Sequence, residues 1–378
     1  MKSGNKVAIL TTHRANNFGA MLQAYSLVMA CRDLGAEAEI LDWRNPFFEK
    51  VYHKAWRMHR NPLPAIKHLL WFLKDERISR KMFAEFRNRI PKSEAINDRT
   101  SLIDVASSYD TFIVGSDQVW NPTILATNPK HFDRTYLLDF VKDKKKYAYA
   151  ASLGDRVSFT DGMLQEYVNA WQSFDGITMR EKDGSDFVAR FIGRSVETVV
   201  DPVLLHDIEY WRSVATKGCV HKKKFALIYN LRRSRQLSDV AQDVARSGGL
   251  EVVNLLVPAQ GVLKSDNTEN AGPAEMLEYI DSADCVFTGS FHAAAFSIIY
   301  GKKLYVQFIK KGGNSNTRME NLFSMCGLDG VDFFNDSNTV VRFYDCSSKN
   351  SAKMSAAIDT SKAILSQMVS GGFCDKAI

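Results

Sequence analysis

Short apolar runs alternate with longer helical runs through most of this chain, and few folds accept that order. Val7 to Thr12 reads as a buried strand, Met21 to Leu34 as a helix stopped by Gly35, and Glu39 to Trp43 as the next strand. Thr111 to Gly115, Tyr147 to Leu153 and Gly176 to Arg180 continue the strands, and Thr198 to Val200 runs into a boundary at Asp201-Pro202. A second series follows: strand Phe225 to Leu231, helix Leu237 to Arg246 closed by Gly248-Gly249, strand Glu251 to Val257, and helix Pro273 to Ser282 with proline in its first turn. The tail from Ser351 to Val369 is helical in pattern. Strands separated by helices make parallel sheets covered on both faces, so the expected class is α/β, with two Rossmann-like domains facing a cleft. The expected boundaries are 1–202 for the first domain, with a basic helical insertion at about 49–92, then 203–345 and a tail over 346–378. Ligands in such folds sit at the carboxyl ends of strands, and between two facing domains the cleft is the natural site.

At 378 residues the chain is long enough for two domains, and 45% hydrophobic with 24% charged residues is the balance of a globular protein. No apolar run approaches the ~18 residues of a membrane span. The apolar stretch Val7 to Leu10 is shorter than a secretory core of ~7–15 residues, so the expected location is the cytoplasm. The six cysteines, Cys31, Cys219, Cys285, Cys326, Cys346 and Cys374, lie far apart without C-x-x-C spacing, which suggests reduced thiols and neither a zinc site nor a redox pair. The net charge is +6, and its basic side is concentrated between Glu49 and Lys92, where Lys and Arg interleave with Trp56, Trp71, Phe83 and Phe86. That segment reads either as a helical insertion with a wet basic face or as a peripheral contact with an anionic membrane at the inner face. No nucleic-acid motif accompanies it.

The segment Ala283 to Phe308 is the richest in chemistry. A short strand ends in Thr288-Gly289-Ser290, His292 follows, and an apolar helix runs to Tyr300. An imidazole and small polar groups therefore sit at a helix N-terminus, where free N–H groups favour an anion. Other polar clusters also fall at strand ends. Asn17 either caps a helix or lines a site, and Gly19 would let a ligand approach the backbone. Ser116 or Asp117 caps a helix, or else the Asp117 carboxylate beside the Gln118 carboxamide holds sugar hydroxyls, Asp117 serving as a general base. Arg180 suits a carboxylate or phosphate, or else makes a structural ion pair with Glu181 or Asp183. Asn316-Thr317-Arg318 offers a second cation before a helix, or a surface residue of its first turn.

In order along the chain, Asn17-Phe18-Gly19-Ala20-Met21-Leu22-Gln23, Val114-Gly115-Ser116-Asp117-Gln118-Val119-Trp120-Asn121-Pro122, Tyr149-Ala150-Ala151-Ser152-Leu153-Gly154, Met179-Arg180-Glu181-Lys182, Val200-Asp201-Pro202-Val203, Thr288-Gly289-Ser290-Phe291-His292 and Asn316-Thr317-Arg318 resemble the polysaccharide pyruvyl transferase family over roughly residues 7–330. The resemblance implies a fold like that of B-type glycosyltransferases and transfer of pyruvate from phosphoenolpyruvate to a sugar as a cyclic ketal. The sugar would belong to a cell-surface polysaccharide, a capsule or exopolysaccharide, or a lipid-linked precursor. Family members associate donor binding with an arginine and a histidine at the positions of Arg180 and His292. Many carry an arginine two residues before that histidine; Ser290 stands there, as in a distinct branch with a Ser-Phe-His motif, so either Arg318 compensates or the donor differs.

The resulting expectations are His292 and Asp117 as catalytic residues, Arg180, Ser290, His292, Asn316 and Arg318 around the donor, and Asn17, Gln23, Asp117 and Gln118 around the acceptor. The implied partners are phosphoenolpyruvate and a glycan or lipid-linked acceptor, with no metal, no further cofactor and no nucleic acid. Glycosyl transfer from a nucleotide sugar, and a non-catalytic glycan-binding role in an envelope assembly complex, are the alternatives.

Overall fold

The computed structural model describes residues 5–45, 49, 77–122, 126–128, 131–154, 159–218, 223–231, 234–255, 268–310, 316–348 and 351–375. The first half contains β1 (Lys6–Leu10), α1 (Phe18–Asp33), β2 (Glu37–Trp43), α2 (Arg77–Arg89), β3 (Lys92–Ile96), α3 (Arg99–Ala106), β4 (Thr111–Val114), a hairpin of β5 (Ala126–Asn128) and β6 (His131–Phe132), β7 (Lys145–Ala151), α4 (Asp161–Gln172), β8 (Gly176–Met179), α5 (Lys182–Ile192) and β9 (Glu197–Thr198). Its main sheet has the order β3-β2-β1-β4-β7-β8-β9, with every pair parallel.

The second half contains α6 (Ile208–Val214), β10 (Phe225–Tyr229), α7 (Arg235–Gly248), β11 (Glu251–Leu255), β12 (Thr268–Glu269), α8 (Pro273–Ser282), β13 (Cys285–Thr288), α9 (Phe291–Ile299), β14 (Lys303–Ile309), α10 (Thr317–Cys326), β15 (Val331–Asn335), β16 (Thr339–Asp345) and α11 (Ser351–Val369). Its order is β12-β11-β10-β13-β14-β16-β15, parallel up to β14 and antiparallel beyond it. β4, β8, β10 and β13 are buried at every position, as unbroken apolar strands inside a parallel sheet must be. The chain winds outward in opposite directions from β1 and β4, and again from β10 and β13, which opens a crevice at the carboxyl ends of both pairs. The fold is the expected α/β class with two parallel-dominated sheets.

α1 is the seam between the halves. Phe18 stacks on Phe83 of α2 and meets Tyr229 of β10 edge-on, each at 5.1 Å, and the Ser26 hydroxyl donates to the Pro202 carbonyl at 2.5 Å. One apolar cluster runs from Val7 and Leu27 to Leu227 and Phe296, so the two halves share a buried core. After β16 the chain returns: Ser361 on α11 accepts from Val200 N at 3.0 Å, Phe373 packs edge-on against Tyr147 of β7, and the Asp375 carboxylate accepts from Ile177 N at 3.0 Å.

The end of the basic segment is α2, whose Phe83 and Phe86 are buried while Arg77 and Lys81 face out. Residues 50–76, with Trp56 and Trp71, lie outside the described residues, as do Cys219 and the Gly312-to-Ser315 part of the late loop. Among the described residues no helix is long and apolar enough to cross a membrane, and Cys31, Cys285, Cys326, Cys346 and Cys374 form no disulfide. Helices α4 and α5 and the antiparallel β15–β16 pair add to what the periodicity predicts. β15 is an edge strand with Val331 and Phe333 exposed, so no apolar alternation marks it.

Candidate functional site

The loops after β1, β4 and β8 meet the turn after β13, and Arg180 lies at their centre. Its backbone N–H donates to Ala151 O at 3.0 Å, extending the β7–β8 pairing by one residue and aiming the side chain inward. Nη1 donates to Asp201 Oδ2 at 2.9 Å and to Asp117 Oδ1 at 3.4 Å, and Nε donates to Glu181 Oε1 at 3.2 Å. The guanidinium also lies 4.5 Å from the centroid of the Phe291 ring, across the domain boundary. Nη2 is buried without a partner among the described residues. Arg180 is only 3% exposed, and burial alone would weaken its charge; the carboxylates of Glu181, Asp201 and Asp117 outweigh that and raise its pKa. Burial pushes the Glu181 carboxyl up, against the opposing pull of Arg180 and Arg318 and a 2.7 Å bond from the Ser152 hydroxyl. The structural pairing with Glu181 is thus present, Asp183 takes no part in it, and two further carboxylates complete the cage.

Asp201 joins the two halves. Its Oδ1 accepts from Val203 N at 3.1 Å; its Oδ2 accepts from Arg180 and from the Ser116 hydroxyl at 3.1 Å, and faces His292 Nε2 at 3.4 Å. That last spacing is an ion-pair distance, and Nε2 has no partner of hydrogen-bonding geometry. Burial would raise the Asp201 carboxyl, but His292 and Arg180 hold it well below the usual carboxylate range. His292 is 7% exposed, in the first turn of α9, and its ring lies against Gly19 with Nδ1 nearest, where a methyl group would overlap it. Gly19 was expected to admit a ligand; in this structure it admits the imidazole.

The other expected residues divide by what already engages them. Gln23 is fully buried: Nε2 donates to the Thr11 hydroxyl at 2.8 Å and Oε1 accepts from Ser116 N at 3.1 Å, which ties α1 to the loops after β1 and β4. Asn17 caps α1 through Ala20 N at 3.1 Å. Asn316 exchanges two hydrogen bonds with the backbone of Ile309, at 3.1 and 2.9 Å, and so pins the start of α10 to the end of β14. Ser290 precedes α9 without capping it by its side chain; its own N–H donates to the Thr288 hydroxyl at 3.0 Å. Asp117, with φ of 68°, turns its carboxylate towards Arg180 yet keeps 18% of its side chain exposed, and Gln118 accepts from Asn121 Nδ2 at 2.6 Å. Arg318, half-buried, acts electrostatically on Glu181 from the other half. The loop after β1 is braced from behind by His13, whose Nε2 lies 2.9 Å from Asp42, and by Arg87, which donates to Asn16 Oδ1 at 2.8 Å.

The structure therefore brings Arg180, Asp117 and His292 into one cluster with Ser290 and Arg318 nearby, and leaves Gln23 and Asn316 as internal braces. Asp201, Glu181, Ser116 and Phe291 belong to the cluster although the sequence reading gave them no functional role. Asp201 lies in the Val200-Asp201-Pro202-Val203 motif, which marks a boundary and a family resemblance but assigns its carboxylate no role; its place in that motif is the signal that points to it. Buried carboxylates around a guanidinium, an imidazole and an uncapped helix start can bind an anion and move a proton.

Among solved structures the chain is similar to MnaA of S. aureus, solved with UDP, at 11% identity and a TM-score of 0.47, covering 85% of this chain and 88% of that one. It is also similar to the glycosyltransferase SnogD of Streptomyces nogalater, at 12% identity and a TM-score of 0.37, covering 98% and 95%. At those scores the likeness adds nothing to the topology above. No curated protein sequence matches significantly. The sequence pattern of the polysaccharide pyruvyl transferases matches residues 17–306, which takes in α1, Arg180, Asp201 and the His292 turn, and this chain belongs to that family.

Proposed function

We propose that the protein transfers pyruvate from phosphoenolpyruvate to two hydroxyls of one sugar, as a cyclic ketal, in a cell-surface polysaccharide or its lipid-linked precursor. The observation that carries this reading is Arg180 Nη2, a buried guanidinium donor without a partner, set beside the start of a helix that no side chain caps. A donor of that kind calls for an anionic oxygen. Three carboxylates outnumber Arg180, so a dianionic donor needs a second cation, which Arg318 or protonated His292 supplies.

The chemistry assigns each group a task. A proton from His292 goes to the methylene carbon of the donor, and C2 becomes electrophilic. The first sugar hydroxyl adds to C2 and gives up its proton to Asp117, the most open of the three carboxylates. The C2–O bond to phosphate breaks, the second hydroxyl closes the ring, and its proton leaves with the phosphate. Arg180 and His292 are nearly closed off, so donor entry requires the halves to part where His292 rests on Gly19.

The test is incubation of purified protein with phosphoenolpyruvate and glycan from the source cells, following phosphate release and the methyl resonance of a pyruvate ketal. Acceptor-dependent phosphate release with that resonance is the expected result. Release of UDP or GDP from a nucleotide sugar, with phosphoenolpyruvate untouched, overturns it.

A further inference from the structure

We propose that Asp201 is a positioning residue that dictates which nitrogen of His292 carries the proton and fixes the imidazole across the domain boundary. The inference rests on the reading of His292 as the group that moves a proton during transfer.

Asp201 is the last residue before the linker into the second half, and its side chain is fully buried. Its carboxylate is held by the linker backbone through Val203 N, by the first half through Arg180 and Ser116, and it faces the second half through His292. A carboxylate accepts only, so the ring nitrogen facing it must bear hydrogen. The neutral ring is therefore the Nε2–H tautomer, with its lone pair on Nδ1. The other side of the ring is fixed by the missing side chain of Gly19. At 3.4 Å the Nε2–Oδ2 contact is longer than a formed hydrogen bond, as such contacts often are before substrate tightens a site.

The ring must give up one proton per turnover and regain it. Nδ1 is the ring atom nearest Gly19, so the donor must enter beside Gly19 before the proton leaves Nδ1 for the methylene carbon of phosphoenolpyruvate and the ring returns to its Nε2–H form. The proton from the acceptor hydroxyl then reloads Nδ1 by way of Asp117. Nothing else is consumed, and the Asp201 carboxylate stays charged throughout.

The experiment uses full-length protein labelled with 15N-histidine, with the His292 signals assigned by their loss in His292→Ala. Wild type is expected to show the Nε2–H tautomer. Asp201→Asn is expected to shift the ring away from it and to lower kcat for transfer roughly 10²–10⁴-fold, with little change in KM for phosphoenolpyruvate. An Nδ1–H tautomer in wild type overturns the proposal, and that measurement decides even if Asp201→Asn does not fold. So does an unchanged His292 spectrum in a folded Asp201→Asn protein. The Nε2–H tautomer in a protein that consumes no phosphoenolpyruvate refutes the proposed function and leaves the positioning intact. An Nδ1–H tautomer in an active transferase does the reverse.

Discussion

Arg180→Met removes the charge at the centre of the cage while keeping most of its volume. Three carboxylates within 3.4 Å of the guanidinium then face one another without compensation. Removing one partner of a buried pair costs about 3–5 kcal/mol, and this site lies at the upper end because one cation serves three anions. At about 2–4 °C per kcal/mol for a domain of this size, the unfolding midpoint should fall by roughly 10–20 °C at neutral pH. The sign with pH is specific. In wild type the depressed Asp201 carboxyl contributes stability that is present above its unfolded value and lost as pH falls through its lower folded value. Without Arg180 the part of that depression not supplied by His292 goes, and Glu181, already raised by burial, rises further. Glu181 lends wild type some stability as pH falls, and its further rise lends the variant more, so the variant should recover part of its deficit between about pH 7.5 and about pH 5. Thermal unfolding followed by circular dichroism at both pH values is the assay. A variant that melts with wild type, or whose deficit is the same at both pH values, refutes the picture of Arg180 as a shared counter-ion.

Gly19→Ala should lower stability by about 1–3 kcal/mol through overlap with the His292 ring and abolish transfer; chemical denaturation beside a transfer assay checks it, and wild-type behaviour in both would show that the ring is not seated there. Phe291→Leu removes the aromatic face 4.5 Å from Arg180, and a loss of about 1 kcal/mol should appear as a several-fold rise in KM for phosphoenolpyruvate in steady-state kinetics. Burial lifts the Asp375 carboxyl to about 6, so the docked tail gains stability at low pH and loses it as pH rises through that value. Amide exchange around Phe373 should accelerate from about pH 5 to about pH 7 beyond the intrinsic chemical trend, and Asp375→Asn should remove that excess.

The inner strands of the two sheets are legible because they are buried on both faces and bounded by glycine, proline or polar turns, and the helices Pro273–Ser282 and Ser351–Val369 have the bounds that the pattern gives them, whereas the half-exposed strands β3 and β12 carry no such pattern. What escaped has a common cause. β15 pairs at an edge, α5 begins inside the Arg180-Glu181-Lys182-Asp183 turn, and neither shows a pattern without knowledge of its neighbours. The candidate site divides in the same way. Arg180, Asp117 and His292 are chemically marked residues at strand ends, and a one-dimensional reading finds them. Their partners are not so marked. Asp201 in an Asp-Pro pair reads as a boundary, and there it caps a turn through Val203 N. The same carboxylate reaches three side chains from three segments, and only the closure of the two halves reveals that second use. Gly19 shows the converse: it was read as room for a ligand, and the room is taken by a residue 273 positions away, from Gly19 to His292. Both residues imply that closure builds the proton-handling group rather than merely covering it. With the halves apart, His292 would lose the carboxylate that sets its tautomer and the surface that holds its ring. Arg180 would keep its three carboxylates, all of which lie in the first half or at its end. Anion binding could therefore survive opening, but proton delivery could not, which orders the cycle as donor first, closure second and transfer third.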